Sequence, residues 1–216
     1  MRSLLVSTTI AAALAFGLSV PAALGVCTAL PTNTVALGPT PTNWSNPLIT
    51  IPKYDGSSGS LCMVVVRLSA SLEAQVQATN TSNAPASLTT TINVNANITA
   101  PSPITSFAAT PINSMQSLNV PAGGSAGFTA GPFPSSQTQN FTMPADLAAF
   151  NGPGFLIFSA AANGTFTFTT STGNAIVDGT TTASAQIDVT YWVPEPSSIA
   201  LLALGSLTIF HRRRRR

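Results

Sequence analysis

From Val64 to Ala78 the chain alternates without a slip. Even positions carry Val64, Val66, Leu68, Ala70, Leu72, Ala74, Val76 and Ala78. Odd positions carry Val65, Arg67, Ser69, Ser71, Glu73, Gln75 and Gln77. A period of two predicts a strand with one face buried and the other wet. The stretch "SLEAQVQA" contains good helix formers, but apolar residues at every second position would wind around the whole helix. The pattern therefore reads as one long strand, or two strands bent at a bulge. "SLTTTINVNANITAP" repeats it, with Leu88, Ile92, Val94, Ala96 and Ile98 inward and Thr89, Thr91, Asn93, Asn95, Asn97 and Thr99 outward. Thr90 is the one polar break on the inner face. The short turn "NTSNAP" between the two runs predicts an antiparallel hairpin.

The remaining pattern is patchier. Residues 26–46, rich in Pro, Thr and Asn, read as an extended lead-in in which Pro31, Pro39 and Pro41 block regular pairing, as does Pro47 just beyond. "LITIP" is a short strand, followed by a turn at Asp55-Gly56. Pro101, Pro103, Pro111, Pro121 and "AGGSAG" punctuate short strands around Met115 to Val120 and Ala126 to Ala130. "MPADLAAF" is helical, with Pro144 at a first helical position and Asp146 where the dipole favours an acid; "NGPG" stops it. "FLIFSAAA" and "GTFTFTT" follow as strands. "ASAQIDVTYWV" closes the series with Ala183, Ala185, Ile187, Val189, Tyr191 and Val193 on one face. Roughly seven to nine strands and one short helix predict an all-β fold: an antiparallel β-sandwich-like domain over residues 47–193. No fixed-period repeat indicates a solenoid or propeller.

Composition sharpens this picture. Charged residues are only 6% of the 216, and hydrophobic residues are 44%, too many for a disordered chain. The net charge of +2 belongs to the two ends. Between them Lys53 and Arg67 face Asp55, Glu73, Asp146, Asp178 and Asp188, so the domain is slightly acidic. That argues against nucleic acid, which requires a basic stripe.

Candidate chemistry is sparse. The only histidine is His211, outside the domain, so no Ser-His-Asp or Cys-His pair forms within it. Two isolated cysteines make no zinc site. The acids are scattered, no Asp-rich loop resembles a calcium site, and "AGGSAG" lacks the lysine of a phosphate loop. The expectation is a protein without catalytic activity and without a cofactor. A glycosidase-type carboxylate pair assembled in space is the remote alternative. A nearer one is a carbohydrate- or surface-binding adhesin, using Trp44, Tyr54, Tyr191 or Trp192; Trp192 falls on the wet face and also suits an interfacial belt. Asn43, Asn80, Asn97, Asn140 and Asn163 open Asn-X-Ser/Thr sequons, as chance allows in so Asn- and Thr-rich a chain.

Both ends read as targeting. Residues 1–25 have one basic residue, Arg2, then an apolar stretch, then Pro21 and small residues: a secretory signal peptide for Sec-type export, cut after Ala22, Ala23 or Gly25. A retained anchor is disfavoured by the Ala, Ser and Thr content and Pro21, and a lipoprotein by Val26 before Cys27. An even cysteine count in an exported chain predicts a disulfide between Cys27 and Cys62, worth about 4 kcal/mol in the simple chain-entropy picture. Residues 194–216 hold Pro194, Glu195 and Pro196, an uncharged run from Ile199 to Phe210, and the cluster Arg212, Arg213, Arg214, Arg215 and Arg216. As a helix the run rises about 18 Å, a marginal span of a hydrocarbon core about 30 Å thick. The arginines belong on the cytoplasmic side.

"VPEPSSIALLALGSLTIFHRRRRR" closely resembles the PEP-CTERM sorting signal of Gram-negative and related bacteria. The resemblance implies that a membrane-embedded exosortase recognises Pro194, Glu195 and Pro196 and removes the tail, leaving the protein at the cell surface or released. It also implies a setting of exopolysaccharide and biofilm. The ectodomain is similar to the choice-of-anchor E domain in "LITIPKYDGSSGSLCMVVVRLSASLEAQVQATNTSNAPASLTTTINVNANI" and "ADLAAFNGPG", over roughly residues 45 to 193. That family implies a β domain with no catalytic residues.

Overall fold

The computed structural model describes residues 27–171 and 174–195. The signal-peptide segment, Pro196, the apolar run and the arginine cluster lie outside the described residues. In chain order the elements are β1 (Cys27–Ala29), β2 (Asn33–Pro41), β3 (Trp44–Pro52), β4 (Met63–Asn80), β5 (Ala86–Thr99), β6 (Phe107–Ala108), β7 (Ile112–Val120), β8 (Ser125–Phe141), α1 (Pro144–Phe150), β9 (Phe155–Thr170) and β10 (Ala175–Pro194).

Two five-stranded sheets result. In the first, β4 lies between β10 and β8, and the far edge of β10 takes β1 and β2. In the second, β5 lies between β9 and the pair β6 and β7, and β3 completes the edge beside β9. The inner faces meet in one core. β4 supplies Val64, Val66, Leu68 and Leu72, β5 supplies Ile92, Val94 and Ile98, β9 supplies Leu156 and Phe158, and β10 supplies Ile187 and Val189. The alternation on β4, β5 and β10 is therefore the sandwich itself: every second residue goes to the core and Ser, Thr, Asn and Gln face water. The single helix starts at Pro144 as its first-turn position requires, and the fully buried Phe150 pins it through a ring contact of 5.0 Å with Phe141.

The hairpin expected of the two alternating runs does not form. β4 and β5 belong to different sheets, and residues 81–85 cross between them. Period two states which face of a strand is apolar but not which edge it pairs through, and here both edges of each strand are taken by later strands. Asn80 organises the crossover from an almost fully buried position. Its Nδ2 donates to Ala84 O at 2.7 Å and lies near Pro121 O and Val120 O at 3.2 and 3.3 Å. Its Oδ1 accepts from the Ser82 amide and hydroxyl. The sequon at Asn80 is thus a structural clasp.

The lead-in also pairs, against the expectation that its prolines keep it free. β2 runs antiparallel along β10, and β3 begins at Trp44 and runs along β9. Both are edge strands, where a missing proline N–H can face outward, and each pairing carries a register shift near its prolines. β9 is one strand where two were expected, continuing through Asn163 and Gly164. β8 is far longer than the short run predicted. It absorbs Gly131 and Pro132 as an irregularity: Leu72 pairs with Phe133 and Ala74 with Ala130. Gly131 has φ +109°, and a Cβ there would lie 2.7 Å from the Leu72 carbonyl, so only glycine fits. β4 itself stays continuous.

Thr90 is fully buried, and its Oγ1 has no hydrogen-bond partner. An unsatisfied buried hydroxyl costs about 1–3 kcal/mol. Thr90→Val keeps the shape and removes the orphan, so its urea midpoint is expected to rise with an unchanged slope; a lower midpoint would contradict the assignment.

Candidate functional site

The one segment where sequence motif and described structure meet is the foot of β10. Tyr191 and Val193 point into the core, and Trp192 falls on the outer side and is half-buried. The Tyr191 carbonyl accepts from Leu30 N at 2.8 Å, and the Trp192 carbonyl from Cys62 N at 2.9 Å. The Tyr191 hydroxyl donates to Pro52 O at 2.8 Å, joining the two sheets. Its ring lies 5.8 Å from that of Tyr54, tilted at 42°. Tyr54 Oη donates to Gly59 O and accepts from Ser58 N, closing the loop after β3. β10 then ends at Pro194 and Glu195 follows directly. Neither cysteine is free; Cys27 and Cys62 are both disulfide-bonded.

Burial pushes the Tyr191 phenol from 10.0 up to about 12. The sign follows from proton counting. Below pH ~10 both folded and unfolded chains keep the proton and stability is constant. Above it the unfolded chain releases the proton first, so stability falls until about 12, where the folded phenol also ionises. The denaturation midpoint is expected to drop across that window, and Tyr191→Phe is expected to flatten part of the drop. An identical slope in the variant would assign the loss to other groups.

The four aromatic residues raised by the sequence divide. Tyr54 and Tyr191 are core residues, so neither presents a ring to a sugar. Trp44 and Trp192 are half-buried, and Nε1 of each is buried without a hydrogen-bond partner. Trp44 lines a shallow groove of about 450 Å³ with Leu37, Thr40, Pro41, Ser45 and Pro47. Two depressions lie on the outer face of the β4 sheet. One, of about 570 Å³, contains Gln75, Gln77, Thr129, Asp178 and Thr180, and is hollowed where Gly127 pairs with Gln77. The other, of about 480 Å³, contains Arg67 and a row of serines.

The acids have local roles or stand apart. Asp55 caps its own turn, accepting from Ser57 N at 2.9 Å, and that bond holds its carboxyl below the usual range. Asp188 accepts from Thr34 and Gln186, Glu73 accepts from Gln75, and Asp146 sits in the first turn of α1. Asp178 is the only acid lining any of the three concavities. Among the described residues no three His, Cys, Asp or Glu side chains group as metal ligands would.

At Pro194 the strand ends, and from there the sequence holds a proline-bracketed acid, an uncharged run and five arginines. Residues 193–216 match the PEP-CTERM protein-sorting motif. A PEP-CTERM tail marks an exported protein processed at a membrane by an exosortase. The match covers the tail and leaves the β domain unassigned. No curated protein matches the chain. Among solved structures, the infectious bursal disease virus Gx strain aligns at 9% identity, over 87% of this chain and 51% of that one, with a TM-score of 0.15. The T13 particle of the same virus aligns at 9% over 79% and 41%, with a TM-score of 0.13. The chain spans about half or less of those chains, and likeness at this level carries no argument. No helix among the described residues is long and apolar enough to cross a membrane.

Proposed function

We propose that the chain is a surface or extracellular-matrix protein without catalytic activity, exported through a cleaved signal peptide. It is held at the membrane by its PEP-CTERM tail until an exosortase acts at Pro194, Glu195 and Pro196. The observation that carries this reading is the join at Pro194, which is at once the last residue of β10 and the first of Pro-Glu-Pro. Prolines on both sides keep Glu195 extended, the shape an enzyme groove accepts. The non-catalytic part draws on a domain with no histidine and on acids engaged in turns, caps and cross-strand bonds. On this reading the sorting signal implies an exopolysaccharide and biofilm setting, and the domain is a choice-of-anchor E-like β domain without catalytic residues.

A second reading is a carbohydrate- or surface-binding adhesin. The groove beside Trp44 favours it, since an aromatic flank beside Thr40 and Ser45 is what sugar stacking uses. Glycan-array binding lost in Trp44→Ala would support it.

The tether is tested by replacing Arg212–Arg216 with serine. The precursor is expected to shift from the membrane pellet towards the soluble fraction, because the stop cluster on the cytoplasmic side is gone. Unaltered fractionation would count against the tail as a stop-transfer segment.

A further inference from the structure

The wet faces of this sandwich are polar almost everywhere. β4 shows Arg67, Ser69, Ser71, Glu73, Gln75 and Gln77, and β5 shows only Ser, Thr and Asn. Met115, Phe133, Phe168 and Ile176 are exposed elsewhere, and three further apolar side chains come together where β3 meets β9. There Leu48, Phe155 and Ile157 are 69%, 59% and 55% exposed, while Ile49, Ile51, Leu156 and Phe158 between them are buried. Thr50 pairs with Ile157 and Pro52 with Phe155, so the three exposed side chains form one diagonal patch. Strands apolar on both faces belong between two layers. Among the described residues nothing covers this patch, and no charged residue occurs in 48–52 or 155–161.

Its place in the fold says what covers it. Pro52, paired with Phe155, receives the Tyr191 hydroxyl, so the patch starts at the same end as the foot of β10. The chain leaves the domain at that foot. Only five residues separate Val193 from Ile199, six Cα–Cα steps or about 20 Å when extended. The apolar run that follows is too short to span a bilayer with length to spare. We propose that the Leu48–Phe155–Ile157 patch is a docking surface for the lipid bilayer, holding the unprocessed domain down on the membrane with its β3–β9 side against the headgroup region. The inference rests on the tail being membrane-inserted, as proposed above. The three exposed side chains carry no charge, with Lys53 next to Pro52 at the edge, so uncharged lipid is a sufficient partner.

The test uses the full-length precursor reconstituted in phosphatidylcholine vesicles, with Ile157→p-benzoylphenylalanine compared with Ile176→p-benzoylphenylalanine. Ile176 is 66% exposed and lies at the opposite end of β10, about 56 Å from Val193 by strand rise. Photolysis is expected to give a lipid adduct at 157 several-fold above that at 176. Equal yields, in a chain that resists carbonate extraction, would overturn the docking surface and leave the tether standing. A chain-to-chain adduct at 157 would overturn it in favour of a second copy. Release by carbonate would refute the inserted tail and the docking surface with it.

Discussion

Glu195→Ala is expected to abolish tail removal while the domain stays folded. Glu195 is the only charged side chain in Pro-Glu-Pro, and the rings beside it present it with little conformational freedom to lose. A charge-assisted hydrogen bond is worth about 1.5–3 kcal/mol, or roughly 10- to 100-fold in recognition. Glu195→Gln, which keeps the size and removes the charge, is expected to fall nearly as far. The core is built from residues up to Val193, so the variant is expected to stay folded, with its thermal midpoint as the check. The readout is intact mass in a strain carrying its exosortase. A variant processed to the parental mass at the parental rate would remove Glu195 from recognition. A variant that unfolds would move it into the fold.

The second large effect separates adjacent residues. Phe158 is fully buried on β9 and Ile157 is 55% exposed on its other face. Phe158→Ala is expected to cost about 3–5 kcal/mol, through lost burial and the cavity left behind. Ile157→Thr, which copies the outer faces elsewhere, is expected to cost under about 0.5 kcal/mol. Against the 5–15 kcal/mol typical of a domain, the first is a large part of the total and the second negligible. Urea unfolding of both variants decides it. Comparable losses would mean that Ile157 is part of the packed structure, and the exposed patch would lose its meaning.

The inner faces of β4, β5 and β10 are legible in the sequence, because burial on one side writes a period of two into the chain. Thr90 was visible as the odd residue and proves to be a buried hydroxyl without a partner. The pairing was not legible: which edge of β4 meets which strand is settled by β8 and β10, 45 or more residues away in sequence. Asn80 looked like a turn residue and a sequon, and nothing local marked it as the clasp of a crossover. Pro39, Pro41 and Pro47 argue in the sequence against pairing, but an edge strand tolerates them. Tyr54 carried the same letter as a sugar-stacking residue, and only burial made it core, whereas Tyr191 already stood on the apolar face of its alternation. "LITIP" and "FLIF" were legible as strands. Their apolar outer residues gained significance only once the register placed them side by side near the foot of β10.

On the proposed reading, the two ends of the chain are an address and the sandwich is what is delivered. Intact-mass spectrometry of the protein as it accumulates at the surface tests that claim directly. The expected mature chain begins after residue 22, 23 or 25 and ends near Pro-Glu-Pro, without the apolar run and Arg212–Arg216. A surface form that still carries those five arginines would contradict it.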